Sequence, residues 1–286
     1  MQRIPNLANV YPDVHHKHVT EHFAALPAGA TARGGLALPA KLHCAYFICF
    51  VNRCGSNFVA EAMGSDGRLR VAGEELNHSI VTKQSQRLGL DSYEAYLSWL
   101  IKVRSKGTGV FGCKTSAGQL IHLYNLGLLH KLGERLRFIH VVRGDLVEQA
   151  VSMERARVTK QWTSEQPGSN EPVAYQPAAL VRTMHGIQQQ NATFQMLFQL
   201  MEADPLVLQY EEFVGAPARG VARIGRHIGM PDLRWRPEGV KLRKQADDES
   251  LRMRQALLND YSVTAGRHTA PTLTLPADAA GAERQA

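Results

Sequence analysis

Three short apolar runs, each followed by a helical pattern, predict an α/β domain built on a central, mainly parallel sheet. Residues 45–51 (AYFICFV), 138–142 (FIHVV) and 206–210 (LVLQY) combine aromatic and β-branched side chains, the composition of strands. The first run is apolar throughout instead of alternating, as a strand buried on both faces requires. Strands separated by helices are joined by crossovers, and crossovers lay helices over the faces of a parallel sheet.

Taken in chain order, residues 1–41 form a polar arm punctuated by Pro and Gly and expected to be flexible. The strand at 45–51 is followed by a polar loop, NRCGS, and a helix at 57–63. A second buried strand is expected at 110–113, then a helix carrying Leu120, Leu123, Leu126, Leu128 and Leu129. After the strand at 138–142, Asp145 is placed to cap a helix running through Arg155, with Val147, Val151 and Met153 on its apolar side. Residues 162–177 read as a loop and 177–203 as a longer helix, and Pro205 introduces the strand at 206–210. A basic stretch at 241–245 (KLRKQ) precedes an amphipathic helix ending near Tyr261, and the Ala-, Pro- and Thr-rich run 262–286 reads as a disordered tail. The domain therefore spans 42–261.

A chain of 286 residues, 44% hydrophobic and 21% charged, can bury a substantial core, and its net charge of +7 suits an anionic ligand or a solvated basic surface. Cys44, Cys49, Cys54 and Cys113 show no repeated zinc-ligand spacing and are too few for a disulfide framework. They fit a reduced cytoplasm. No apolar stretch reaches the length of a membrane span, and residues 1–20 lack the core of a secretory signal. A cytoplasmic enzyme without stable membrane insertion or a nucleic-acid partner is expected.

Ligands of such sheets sit beyond the carboxyl ends of strands, where loop N–H groups and helix dipoles attract anions. Loop 52–57 holds that position: Gly55 permits close backbone approach, Ser56 and Asn57 supply donors, and Arg53 supplies a planar fork for phosphate or sulfate. The same residues also suit an ordinary capped turn with an exposed arginine. The loop lacks GxxxxGK[ST], which argues against a P-loop kinase. Arg143 leaves the strand at 138–142, and Ser152 follows two helical turns into the next element. They meet on one phosphate if that helix packs back toward the sheet edge, and otherwise stand as a surface pair.

VNRCGSN after the first strand, VFGCK in the middle and VVRGDLVEQAVSMERARVTKQW together resemble the bacterial trehalose 2-sulfotransferase family of glycolipid-sulfating enzymes. The specific part is the R-x-D-x-x-x-Q-A-V-S run followed by R-A and a tryptophan. QYEEFV, the IGM segment and RKQAD extend the resemblance over residues 45–261. It implies a three-layer, P-loop-like sulfotransferase fold. It also implies 3′-phosphoadenylyl sulfate (PAPS) as donor and a carbohydrate, glycolipid or small-molecule hydroxyl as acceptor. Arg53, Gly55, Ser56 and Asn57 match the loop that holds the 5′-phosphosulfate, with Asn57 in place of the family's threonine. Arg143 and Ser152 match the pair that holds the 3′-phosphate, Arg243 and Lys244 a basic segment that closes over the nucleotide, and Lys114 the FG-x-K lysine. The family includes dimers, so a homodimer is an open expectation.

Arginines and backbone N–H groups suffice to stabilise a transferring sulfuryl group, so no metal is expected. A carboxylate or histidine must still take the acceptor proton. The family's position for that base falls on Asn77 in VAGEELNHS, and an amide cannot serve. Glu75 is the favoured substitute, with Glu74 and His78 as alternatives. Loss of the base altogether would leave a non-catalytic PAPS-binding protein. His15, His16, His18 and His22 read either as a metal cluster or as part of a solvated arm or partner contact. Trp162 suits a ligand contact or the core edge, and Cys54 reads as a bystander thiol.

Overall fold

The computed structural model describes residues 7, 14–26, 35–162, 166, 169, 171–240 and 248–263. Its centre is an all-parallel sheet of β1 (Cys44–Phe50), β2 (Val110–Thr115), β3 (Leu136–Val142) and β4 (Leu206–Gln209) in the order β2-β1-β3-β4. Every residue of β1 is buried. Ala45, Phe47 and Cys49 join one core, while Tyr46, Ile48 and Phe50 join another on the opposite face. That two-sided burial is why the run is continuously apolar. Gly112 in β2 stands opposite Tyr46, where a Cβ would lie 2.0 Å from the tyrosine ring, so this strand position admits only glycine.

The connections place helices on both faces. α2 (Ser56–Gly64) follows β1 and packs Val59, Ala60, Ala62 and Met63 into the second core. α7 (Leu146–Thr159) follows β3 and packs Ala150, Val151 and Met153 into the first. Adjacent strands β1 and β3 thus send their chains to opposite faces, which opens a crevice beyond their carboxyl ends. The first core is completed by α1 (Val14–Ala24), α3 (His78–Leu88), α4 (Tyr93–Arg104), α5 (Ala117–Asn125), α6 (Leu128–Leu132), α8 (Pro177–Leu200) and α11 (Asp248–Tyr261). α9 (Tyr210–Gly215) and α10 (Pro217–His227) contribute Phe213, Val221 and Ile224 to the second.

The arm expected to be flexible contains α1, whose Val19 is buried and which packs on α3 and α5. Polar composition hid this helix because its histidines meet partners on other elements. His15 Nδ1 lies 2.9 Å from His78 Nδ1, and His16 pairs with His122. Tyr210, read as the last residue of a strand, opens α9 instead. Helices α3 and α4 fill a stretch that had no predicted element, each started by a side-chain cap, Asn77 for α3 and Ser92 for α4. Residues 264–286 lie outside the described residues.

Candidate active site

A cavity of about 770 Å³ opens at the β1/β3 crevice. Its first wall is the loop after β1. Arg53 (φ 67°) and Gly55 (φ 90°) adopt left-handed backbone conformations, and a Cβ on Gly55 would fall 2.1 Å from the Tyr210 ring. Tight backbone of this kind turns successive N–H groups toward one concavity. Gly55 brings no side-chain cap to α2; the Ser56 N–H faces the buried Cys54 thiol, and the next N–H groups of that helix are available to a ligand. Gly55, Ser56 and Asn57 line the cavity. The Arg53 side chain runs along its floor, with Nε donating to Ser152 Oγ at 2.8 Å and Nη1 to the Trp162 carbonyl.

The second wall comes from the loop after β3. Arg143 is nearly buried, with its Nη1 donating to the Arg53 carbonyl at 3.0 Å and its Nη2 2.9 Å from Glu148 Oε2. Its guanidinium lies over the Tyr210 ring, 5.1 Å from the centroid. Arg143 Nε is buried without a hydrogen-bond partner among the described residues, and Glu211 Oε1 stands 4.0 Å away. Glu211 accepts from the Gly144 and Asp145 N–H groups at 3.0 and 3.1 Å. Burial pulls the Glu211 pKa up, but these bonds and Arg143 outweigh it, leaving the carboxyl below its ordinary value. Burial first, and then the neighbouring Arg143, holds the Arg53 pKa below the usual arginine value. Two arginines lining one cavity, one lowering the pKa of the other, favour an anion there.

The third wall is polar and, among the described residues, carries the only lysine of the lining. Lys114 Nζ, 4% exposed, meets Asn57 Oδ1 and lies 2.9 Å from Glu74 Oε1. It sits over the Phe50 ring at 4.9 Å. The Lys114 N–H donates to the Gly73 carbonyl at 2.7 Å, which pins the Glu74 loop to β2.

Against the sequence expectations, Arg53, Arg143 and Ser152 share one end of the cavity, and Arg53 rather than Arg143 is the hydrogen-bond partner of Ser152. Lys114 lies with Asn57 at the other end. Glu75, the favoured base, is displaced from the cavity: it pairs with Arg104 and accepts from Cys113 Sγ at 3.4 Å. Its carboxylate is held by an arginine outside the lining, whereas the neighbouring Glu74 lines the cavity. His78 turns toward α1, and Asn77 spends its Oδ1 on the Ser79 N–H at 3.1 Å. Cys54 is buried, and burial pushes its thiol up, as suits a bystander. Trp162 lines the cavity. Arg243 and Lys244 lie outside the described residues. Tyr210, Glu148 and Glu211 were not singled out from the sequence. For Tyr210 and Glu211 the signal was the QYEEFV block, read there as a strand end and a family match, and Glu148 lay inside the VVRGDLVEQAVS run that carried the resemblance.

The family model for Stf0 sulphotransferases matches residues 45–255. The chain belongs to the Stf0 sulphotransferase family. Sulfuryl transfer is accordingly its class of reaction, and both arginine loops of this Stf0 family member lie within the matched region. Among solved structures the chain is similar to the sulfotransferase domain from the Synechococcus PCC 7002 olefin synthase. That likeness has 13% identity and a TM-score of 0.40, and it covers 78% of this chain and 98% of that one. No curated protein matches it. Among the described residues of the Stf0 family member, no group of His, Cys, Asp and Glu could hold a metal ion, and no helix is long and apolar enough to cross a membrane.

Proposed function

We propose that this chain moves a sulfuryl group from PAPS to a hydroxyl of a carbohydrate, glycolipid or related metabolite. The observation that carries the reading is the meeting of Arg53, Arg143 and an uncapped helix N-terminus in one cavity. The residues fit a nucleotide with phosphate at two ends. Arg53, Arg143 and Ser152 would hold the 3′-phosphate, for which the orphan Arg143 Nε supplies an unmet donor. The N–H groups of 55–57 and Lys114 would hold the phosphosulfate. When bound, the donor supplies a transferable sulfuryl group and a nucleotide leaving group. Lys114 then sets a positive charge beside the oxygen on which negative charge develops, with Asn57 and Glu74 fixing its ammonium. Glu74 takes the acceptor proton at Oε1 or Oε2, a role the geometry supports over Glu75 because only Glu74 faces the cavity.

The test is incubation with PAPS and a mixed hydroxyl-compound library in the presence of EDTA, read by mass spectrometry for an added sulfuryl group. Sulfated product is expected. Glu74→Gln should slow transfer by roughly 10²–10⁴-fold. Glu75→Gln should change the rate little and lower the melting temperature, since it strips Arg104 of its counter-ion. The large loss at Glu75 instead would return the role to it. Binding of the spent nucleotide without any turnover would favour the non-catalytic reading, which the helix-capping role of Asn77 allows.

A further inference from the structure

We infer that Glu148 is a built-in competitor for the donor's 3′-phosphate: it occupies the phosphate-binding edge of Arg143 in the ligand-free protein and weakens the hold on the nucleotide. The inference rests on the reading of Arg143 as a 3′-phosphate ligand.

A guanidinium grips phosphate best through two parallel N–H groups. On Arg143 the Nη1 group is already committed to the Arg53 carbonyl at 3.0 Å, a bond that ties the two loops together. The remaining fork is the Nε/Nη2 edge. Glu148 Oε2 sits 2.9 Å from Nη2, and Glu211 Oε1 stands 4.0 Å from Nε, too far for a hydrogen bond. Arg143 Nε is buried beside these carboxylates, so a phosphate must displace the Glu148 oxygen to reach Nε and complete its second bond at Nη2. The Arg143 and Glu148 side chains are only 9% and 21% exposed, so water screens their attraction poorly and the displacement is costly.

The start of α7 shows why the Glu148 carboxylate stands at Arg143. Asp145 and Glu148 have capping-box spacing, in which the acidic residue of the first turn normally reaches back to the N–H of the capping residue. Half of the box is present: Asp145 Oδ1 accepts from the Glu148 N–H at 2.8 Å. The other half is taken over by Glu211, whose Oε1 accepts from the Asp145 N–H at 3.1 Å. With that N–H satisfied from α9, the Glu148 carboxylate turns to Arg143. Glu211 thus holds the loop, and Glu148 holds the ligand's place.

The functional consequence is selective. A carboxylate on the Nη2 edge penalises ligands with a 3′-phosphate and leaves those without one nearly untouched. Donor and spent nucleotide carry the same 3′-phosphate, so Glu148 loosens both, and product release is eased at the expense of donor affinity.

The experiment is calorimetric titration of wild type, Glu148→Gln and Glu148→Asp with 3′-phosphoadenosine 5′-phosphate and with adenosine 5′-phosphate, alongside melting temperatures without ligand. Glu148→Gln removes the charge at nearly constant size. It should tighten the bisphosphate by about tenfold or more, given the coupling of close buried charge pairs, and change the monophosphate by less than about threefold. The ligand-free protein should melt lower, because Arg143 loses the nearer of its two carboxylates. Glu148→Asp keeps the charge on a shorter arm and should fall between wild type and Glu148→Gln. Wild type preferring the bisphosphate, with Glu148→Gln unchanged or weaker, would overturn this inference and leave the proposed function standing. If wild type and both variants bind the two nucleotides equally, both readings fall together. No bisphosphate binding by wild type but binding by Glu148→Gln would support the inference in its strongest form.

Discussion

The two strand-to-helix loops that build the cavity start alike and finish differently. Each places an arginine just beyond a buried strand and then opens a helix. In the first, α2 begins at a left-handed Gly55 with no side-chain cap among the described residues. In the second, Asp145 caps α7 and Glu211 takes both the Gly144 and the Asp145 N–H groups. A helix N-terminus can serve either its own protein or a ligand, because its orphan donors are few. The first loop therefore offers backbone, while the second offers only the Arg143 side chain.

That contrast breaks first at the glycines. Gly55→Ala adds a Cβ 2.1 Å from the Tyr210 ring at a φ of 90°, whereas a Cβ on Gly144 meets Glu211 at 3.4 Å, an ordinary contact. Displacing the backbone donors of the first loop by an ångström is expected to cost about 10²-fold in transfer rate and to weaken the nucleotide. Gly144→Ala should cost little. Titration with 3′-phosphoadenosine 5′-phosphate separates them, and equal losses would erase the distinction between the loops.

A smaller effect is expected from Arg143→Ala. It should weaken the bisphosphate by roughly thirtyfold, the lower end for truncating a buried charged partner, and adenosine 5′-phosphate far less. Comparable losses for both nucleotides would mean that the second loop serves the 5′ end as well.

The smallest effect belongs to the cap. Asp145→Ala should cost about 1 kcal/mol of stability, the usual worth of such a cap, and it also releases Arg254 of α11, now 3.0 Å from Asp145 Oδ2. Burial raises the Asp145 pKa, but the Glu148 N–H and Arg254 outweigh it and hold the carboxyl below its ordinary value. A depressed pKa stabilises the fold above the unfolded value of about 3.9 and loses that contribution as pH falls through the folded one. The stability gap between wild type and Asp145→Asn should therefore hold near neutrality and close in that acid range. A gap that stays constant through acid would remove Asp145 from the cap.

The sequence by itself determined β1 and β2, because continuous burial demands apolar runs that no loop would carry, and it determined the arginine loops by their place after the strand runs. The Asp145 cap was legible for the same reason, being a local bond between near neighbours. Helix α1 was not legible, since its histidines find their partners on α3 and α5, remote in sequence. Only the tertiary structure separated the surroundings of Glu74 and Glu75. Consecutive residues in a loop point different ways, and Arg104, from α4, captured Glu75 while Lys114 held Glu74 at the cavity. Only it, too, turned Glu148 from a capping residue into a partner of Arg143, because the N–H it would have capped is filled by Glu211, 66 positions along the chain from Asp145.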